Sequence, residues 1–301
     1  MEKQAVRPFP RFLLSLPRDH LLKFLEYFRA DKTEAKVDNA RDEKLVSALQ
    51  YTIGERERLK ALWALAADCL GHVDADDLKR LMSALLSSPS ERHQDAFALL
   101  ITRKFSGGFF VEFGACDGFA SSNTYLLEKE FGWTGILSEP GRVWHSDLKK
   151  NRAAVVDTRC VAASSGETVE FNEGENPIVS SLDVSHRYLG DVRSTYSVET
   201  VSLNELLDTH NAPRHIDFLS VDVEGGELEA LKNLDFEKYS FEFVCVEQHR
   251  HVEETNDVSG LFRQAGYEIL FPRDPDRTKP PHMQVSGDDL FFVPRDSVHL
   301  A

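Results

Sequence analysis

Apolar positions recur along this chain at two different spacings, and the change between them falls near residue 105. Before it they return at i, i+3 and i+4. Leu21, Phe24, Leu25 and Phe28 follow a candidate N-cap at Asp19, then come Leu45, Val46 and Leu49. Leu59, Leu62, Trp63, Ala66 and Leu70 form a third stripe, stopped at Gly71, and Leu78, Leu81, Met82 and Leu85 a fourth. Ser88-Pro89-Ser90-Glu91 combines a capping box with proline at the first helical position, which predicts a fifth helix running to about Lys104. Residues 1–18, punctuated by Pro8, Pro10 and Pro17, read as an irregular arm. Stripes of this kind are packing faces. Residues 1–104 are therefore expected to be a helical N-terminal region without chemistry of its own, serving as a substrate cap or as a surface for homo-oligomer contacts.

After Gly107 the period shortens. Apolar runs at 109–113, 134–138, about 153–161, 215–222 and 243–246 alternate with helical stripes. The stripes carry Tyr125, Leu126, Leu127 and Phe131, then Trp144 and Leu148, then Leu228, Leu231 and Leu234. A last stripe through Val258, Leu261, Phe262 and Ala265 stops at Gly266, and 267–271 and 290–293 read as strands joined by a polar loop with four prolines. Residues 167–171 suggest a short strand, and the Ser-rich remainder of 165–200 has no clear period. Alternation of this kind predicts an α/β fold, a doubly wound and mostly parallel Rossmann-like sheet with helices on both faces. The expected domains are 1–104, 105–295 and a tail at 296–301.

In such sheets ligands bind beyond the carboxyl ends of the strands. The first strand runs into Glu112-Phe113-Gly114-Ala115-Cys116-Asp117-Gly118. Gly114 allows a sharp turn and close approach to a ligand, Gly118 lets the next helix lie close to the strand, and the helix start offers N–H groups to a carboxylate. The spacing departs from the Gly-x-Gly-x-x-Gly of dinucleotide sites, and an acid at the strand end suits a cationic amine better than a pyrophosphate. Glu139, closing the second strand, is placed to accept hydrogen bonds from ribose hydroxyls, and Val161, Ala162 and the two residues after them to pass near an adenine. Amine, carboxylate and ribose together describe S-adenosylmethionine. Asp222, Glu224, Glu247 and His249, at the ends of the fourth and fifth strands, converge with Glu112 and Glu139 on one crevice.

Composition narrows the partners. The formal net charge is -15, and residues 105–301 carry 34 acidic against 17 basic side chains. Such a surface repels polyanions, which argues against nucleic acid and anionic membranes and suits a neutral or cationic small acceptor. Cys69, Cys116, Cys160 and Cys245 lie far apart in apolar surroundings, as buried thiols in a reducing compartment do. No run approaches the ~18 apolar residues that span a bilayer, and the N-terminus has no cleavable leader pattern, so a cytoplasmic location is expected.

The ordered set of motifs resembles the FkbM-type methyltransferases. It comprises 110–118, Ser122-Asn123-Thr124-Tyr125, Leu127-Glu128-Lys129, 132–140, 216–227, 246–249 and Asp288-Asp289-Leu290-Phe291. The resemblance implies a seven-stranded doubly wound fold and O-methylation of sugar, glycan or natural-product hydroxyls. It also implies that Glu112, Gly114, Asp117 and Gly118 cradle the methionine end of the cofactor, with Ala115 and Asn123 among the cofactor-binding residues, that Glu139 binds the ribose, and that Asp222 lies near the transferred methyl group.

A hydroxyl is a poor nucleophile and needs a carboxylate or imidazole base, or a divalent cation that acidifies it. Asp222, Glu224, Glu247 and His249 are the catalytic candidates, with Asp222 or His249 as base, and they also offer oxygen and nitrogen ligands suited to Mg²⁺. A nicotinamide-dependent sugar oxidoreductase is disfavoured by the missing Gly-x-Gly-x-x-Gly and Tyr-x-x-x-Lys. A binding or assembly protein that has lost catalysis is disfavoured by the intact acidic set, since converging carboxylates repel one another.

Overall fold

The computed structural model describes residues 58–62, 64–66, 75–85, 87–182, 189–247, 252–271 and 289–300, which all fall within one compact unit spanning Leu49–Ala301. The helices expected around Leu21–Phe28 and Leu45–Leu49, the proline-bearing loop at 272–288, and His249 lie outside the described residues.

Residues 58–62 and 64–66 are helical and precede α1 (Ala75–Leu85) and α2 (Gln94–Thr102). The capping box at Ser88 does not start α2, which begins six residues later. Ser88 Oγ accepts from Ser90 N at 3.2 Å and donates to Asp95 Oδ2 at 2.5 Å, closing a local turn that no helix continues, and Ser90 Oγ accepts from Gln94 N at 3.0 Å. Every residue of α2 from Gln94 to Ile101 is buried. A helix enclosed all round belongs to the interior of a fold, and α2 shares one core with the central sheet although it precedes residue 105.

That sheet contains β1 (Phe109–Phe113), β2 (Thr134–Ser138), β3 (Val155–Asp157), β7 (His215–Val221), β8 (Ser240–Val246), β9 (Tyr267–Ile269) and β10 (Leu290–Pro294), in the order β3-β2-β1-β7-β8-β10-β9. The first five pair in parallel, and β10 inserts antiparallel between β8 and β9. α3 (Tyr125–Phe131) links β1 to β2, α4 (His145–Asn151) links β2 to β3, α5 (Leu203–Thr209) precedes β7, α6 (Glu227–Leu231) links β7 to β8, and α7 (Val252–Gln264) precedes β9. The doubly wound, mostly parallel architecture is the one the alternating pattern predicts, and its seven strands are the number the resemblance implies.

Successive strand residues face opposite sides, and here both sides are dry. Phe110, Leu137, Phe218, Phe243 and Phe291 pack on the α2 and α3 side, while Val111, Ile136, Leu219, Val244 and Phe292 pack with Leu206, Leu207 and Phe262 on the other. Phe218 stacks on Phe243 at 5.1 Å between centroids, Phe243 meets Phe291 edge-on at 5.2 Å, and Phe97 of α2 meets Phe291 at 5.1 Å.

Two expectations change. The run at 153–161 is not one strand, because Arg159 N and its guanidinium both turn back to Asp157. β3 ends there, and β4 (Cys160–Ala162) joins a second sheet of order β4-β6-β5. That sheet contains β5 (Thr168–Gly174) and the eleven-residue β6 (Val192–Ser202), which the Ser-rich stretch concealed. β6 is mostly exposed, so polar residues occupy it without loss and no apolar period marks it.

Candidate active site

The carboxyl ends of β1, β2, β7 and β8 open on a cavity of about 580 Å³. Gly114 is where three of these strands are drawn together. Its N–H donates to Ser138 O at 3.0 Å, its φ is +74°, and a Cβ there would lie 1.8 Å from Asp222 O. Only glycine fits that approach.

Glu139 is 4% exposed and lines the cavity. Its Oε2 accepts from Cys116 N at 2.8 Å and its Oε1 from Gly141 N at 2.6 Å, so the carboxyl is clamped between the two strand-end turns with one lone pair per oxygen left over. Burial pushes it up to about 7, against the pull of those two donors. Val161 and Ala162 line the same side together with Phe171 of β5. The segment Pro177–Leu182 lines the cavity as well, and Ser181 Oγ ties it to Glu224 O at 2.9 Å.

At the middle of the sheet Asp222, Glu224 and Glu247 bring carboxylate oxygens within 4.8 Å of one another. Burial first, then Glu247, to which Asp222 is hydrogen-bonded, and then Glu224 and Glu227 push the Asp222 carboxyl well above the usual range. Beside Glu247, the Asp222 carboxyl is thus biased toward its protonated form. Glu227 caps the turn, its Oε1 accepting from Gly225 N at 3.0 Å. The Cys116 thiol, at φ +46° in the turn, is raised by burial and by Glu139, which disfavours a thiolate.

Glu112 is positioned differently from the cradle role expected of it. It shares the sheet face of Phe110, is 3% exposed and does not border the cavity. It accepts from Asn123 N at 2.8 Å, from Ser122 Oγ and from Thr124 Oγ1, and pairs with Arg152 Nη1 at 3.5 Å. Arg152, with a fully buried side chain, also reaches Glu128 Oε2 at 2.9 Å, Thr124 Oγ1 at 2.8 Å and Gly118 O at 3.3 Å. The two acids and the arginine form a clamp beneath the 114–124 turn. Gly118, at φ +77°, lies on it, since a Cβ would meet Arg152 Cγ and Leu148 Cδ1 at 2.6 Å.

Asp117 Oδ1 accepts from Phe119 N and Ala120 N, each at 2.8 Å, and so closes the turn. Ala115 is buried behind the cavity wall. Asn123 does line the cavity, its Nδ2 donating to Ser220 Oγ at 3.0 Å. Sequence reasoning passed over Arg152, Ser220, Gln94 and the 177–182 segment. A lone arginine after Leu148 carries no pattern to mark it. Asp289, noted only as part of a motif, also borders the cavity.

Among the described residues no helix is long and apolar enough to cross a membrane. Residues 112–269 match the family described as "Methyltransferase FkbM domain". Among solved structures, the precorrin-6y C5,15-methyltransferase of Geobacter metallireducens GS-15 is 12% identical, with 66% of this chain and 85% of that one covered and a TM-score of 0.35. No curated protein matches.

Proposed function

Because the chain belongs to the FkbM methyltransferase family, we propose that it transfers the methyl group of S-adenosylmethionine to a hydroxyl of a sugar, glycan or natural-product acceptor. One observation carries this reading. One cavity has, at the end of β2, a buried carboxyl held by two backbone N–H groups, and at the ends of β7 and β8 the converging carboxyls of Asp222, Glu224 and Glu247. The residues suit the cofactor: Glu139 keeps lone pairs for a ribose diol, Val161, Ala162 and Phe171 offer an apolar wall to a purine, and Gly114 lets the Asp222 backbone close on the turn after β1.

S-adenosylmethionine supplies an electrophilic methyl group on a positively charged sulfur. The rest falls to the protein. Holding the acceptor oxygen in line with the S–CH₃ bond is worth up to about 7–11 kcal/mol, and removal of the hydroxyl proton about 10²–10⁴ in rate. A carboxylate of the Asp222 and Glu247 pair would accept that proton as the O–CH₃ bond forms and the S–CH₃ bond breaks, with S-adenosylhomocysteine as the leaving group. A second route, favoured by the mutual approach of Asp222, Glu224 and Glu247, has Mg²⁺ held by these oxygens to acidify the hydroxyl.

Titration calorimetry with S-adenosylhomocysteine tests the cofactor assignment. Wild-type protein is expected to bind and Glu139→Ala to lose most of the affinity. Folded wild type that does not bind would instead favour a binding or assembly role. Methyl transfer measured with Mg²⁺ and with EDTA then separates the two proton routes.

A further inference from the structure

Strand order gives the cavity a direction. Its lining runs from Ser138 and Glu139 at β2, past Gly114 and Asp222 after β1 and β7, to Cys245, Glu247 and Asp289 at β8 and β10. That is four strand spacings, about 19 Å. With a ribose at Glu139 and the methyl group near Asp222 at the middle of the sheet, the acceptor occupies the β8 and β10 end. Part of the wall there comes from outside the matched residues 112–269, from Glu91, Arg92 and Gln94 before them and Asp289 after them.

Gln94, 5% exposed, donates from Nε2 to Asp289 Oδ2 at 2.8 Å, and Cys245 Sγ donates to the same oxygen at 3.4 Å. Gln94 Oε1 is engaged by Ser90 Oγ and by Arg92 N at 2.9 Å, which fixes the orientation of the amide. Ser90 Oγ in turn reaches Asn123 Oδ1 at 2.8 Å. A polar chain therefore ties the start of α2 to the turn after β1, along a helix that is otherwise apolar from Ala96 to Ile101. Among the described residues, the second Nε2 hydrogen of Gln94 and Oδ1 of Asp289 are committed to no protein partner. They set one donor beside one acceptor at the cavity wall. A hydroxyl both donates and accepts, so two neighbouring hydroxyls match this pair.

We propose that Gln94 and Asp289 bind the acceptor, so that the segment preceding the family domain takes part in choosing which hydroxyl faces the methyl group. This rests on the hydroxyl-methylation reading above. Replacing Gln94 removes an amide contact, and replacing Asp289 with Asn puts a donor where an acceptor stands. Each change leaves a buried partner mismatched, which weakens acceptor binding about tenfold.

The test uses full-length protein saturated with S-adenosylhomocysteine, with thermal unfolding followed against increasing D-glucose, D-mannose, L-rhamnose and myo-inositol. At least one probe is expected to raise the wild-type Tm. In Gln94→Met and in the isosteric Asp289→Asn, the same stabilisation should require about ten times more probe, with S-adenosylhomocysteine affinity unchanged. Retained cofactor affinity establishes that each variant is folded. The proposal is overturned if no probe stabilises the loaded wild type, or if both variants respond as wild type does. Wild type that fails to bind S-adenosylhomocysteine strikes the underlying reading and this proposal with it, so the two failures are distinguishable.

Discussion

Replacing Arg152 by Met should destabilise the protein more than any loss of cofactor contact could explain. The guanidinium is fully buried and holds Glu112, Glu128, Thr124 and the Gly118 carbonyl at once. Methionine fills much of the volume but leaves the buried Glu112 carboxylate without its counter-charge, and leaves Glu128 with Lys129 alone. Removing one partner of a buried pair costs about 3–5 kcal/mol. Glu112 keeps Asn123 N and the Ser122 and Thr124 hydroxyls, and Glu128 keeps Ala153 N at 2.8 Å, which places the loss near the lower end, about 3 kcal/mol. In a unit of this size that lowers Tm by about 6–12 °C.

Urea unfolding followed by the fluorescence of Trp133, which is 1% exposed, measures it. Glu112→Gln in both backgrounds completes the cycle, with an expected coupling of about 1–3 kcal/mol because the two residues share one network. A loss below about 1 kcal/mol for Arg152→Met would refute the clamp. So would a Glu112→Gln variant of unchanged stability that loses S-adenosylhomocysteine affinity, because Glu112 would then be touching the cofactor instead of holding the turn.

Gly114→Ala forces a Cβ to within 1.8 Å of Asp222 O at a left-handed φ; it should cost more than the ~1–2 kcal/mol of backbone strain alone and abolish cofactor binding by calorimetry. Asp222→Asn is expected to lower kcat by at least about 100-fold while leaving S-adenosylhomocysteine affinity within a few-fold; an unchanged kcat removes Asp222 from proton transfer. Asp95 at about 6, and Glu139 and Asp289 at about 7, lie above their unfolded values near 4. Their raised values stabilise the protonated folded protein, and that contribution declines as pH rises from about 4 to about 7. Asp157, lowered to about 2, changes nothing in this window, since its contribution is lost only as pH falls below the unfolded value. Tm of the unliganded protein should therefore be higher at pH 5.5 than at pH 8, with the difference reduced in Glu139→Gln.

Local pattern is legible wherever one residue's requirement is met by its near neighbours. Period and burial mark β1, β2, β7 and β8, because a parallel strand covered on both faces must be apolar throughout, as Phe110-Val111 and Phe218-Leu219 are. Gly114 and the acids at the strand ends follow from the same reading, and Glu139, expected at a strand end from chain position, lines the cavity. The sequence by itself determined the layered fold, the edge at which the cavity opens and the acidic character of that edge. Tertiary structure decided what each acid does. Glu112 and Glu139 look alike as strand-end carboxylates, yet one faces Arg152, 40 residues away, and the other the cavity, held by Cys116, 23 residues away, because they stand on different strands. It also decided that α2 belongs to the core, that β6 exists, and that Gln94 meets Asp289 across 195 positions. No periodicity encodes a contact of that separation, because the side chains that satisfy each other are brought together only when the sheet between them has formed.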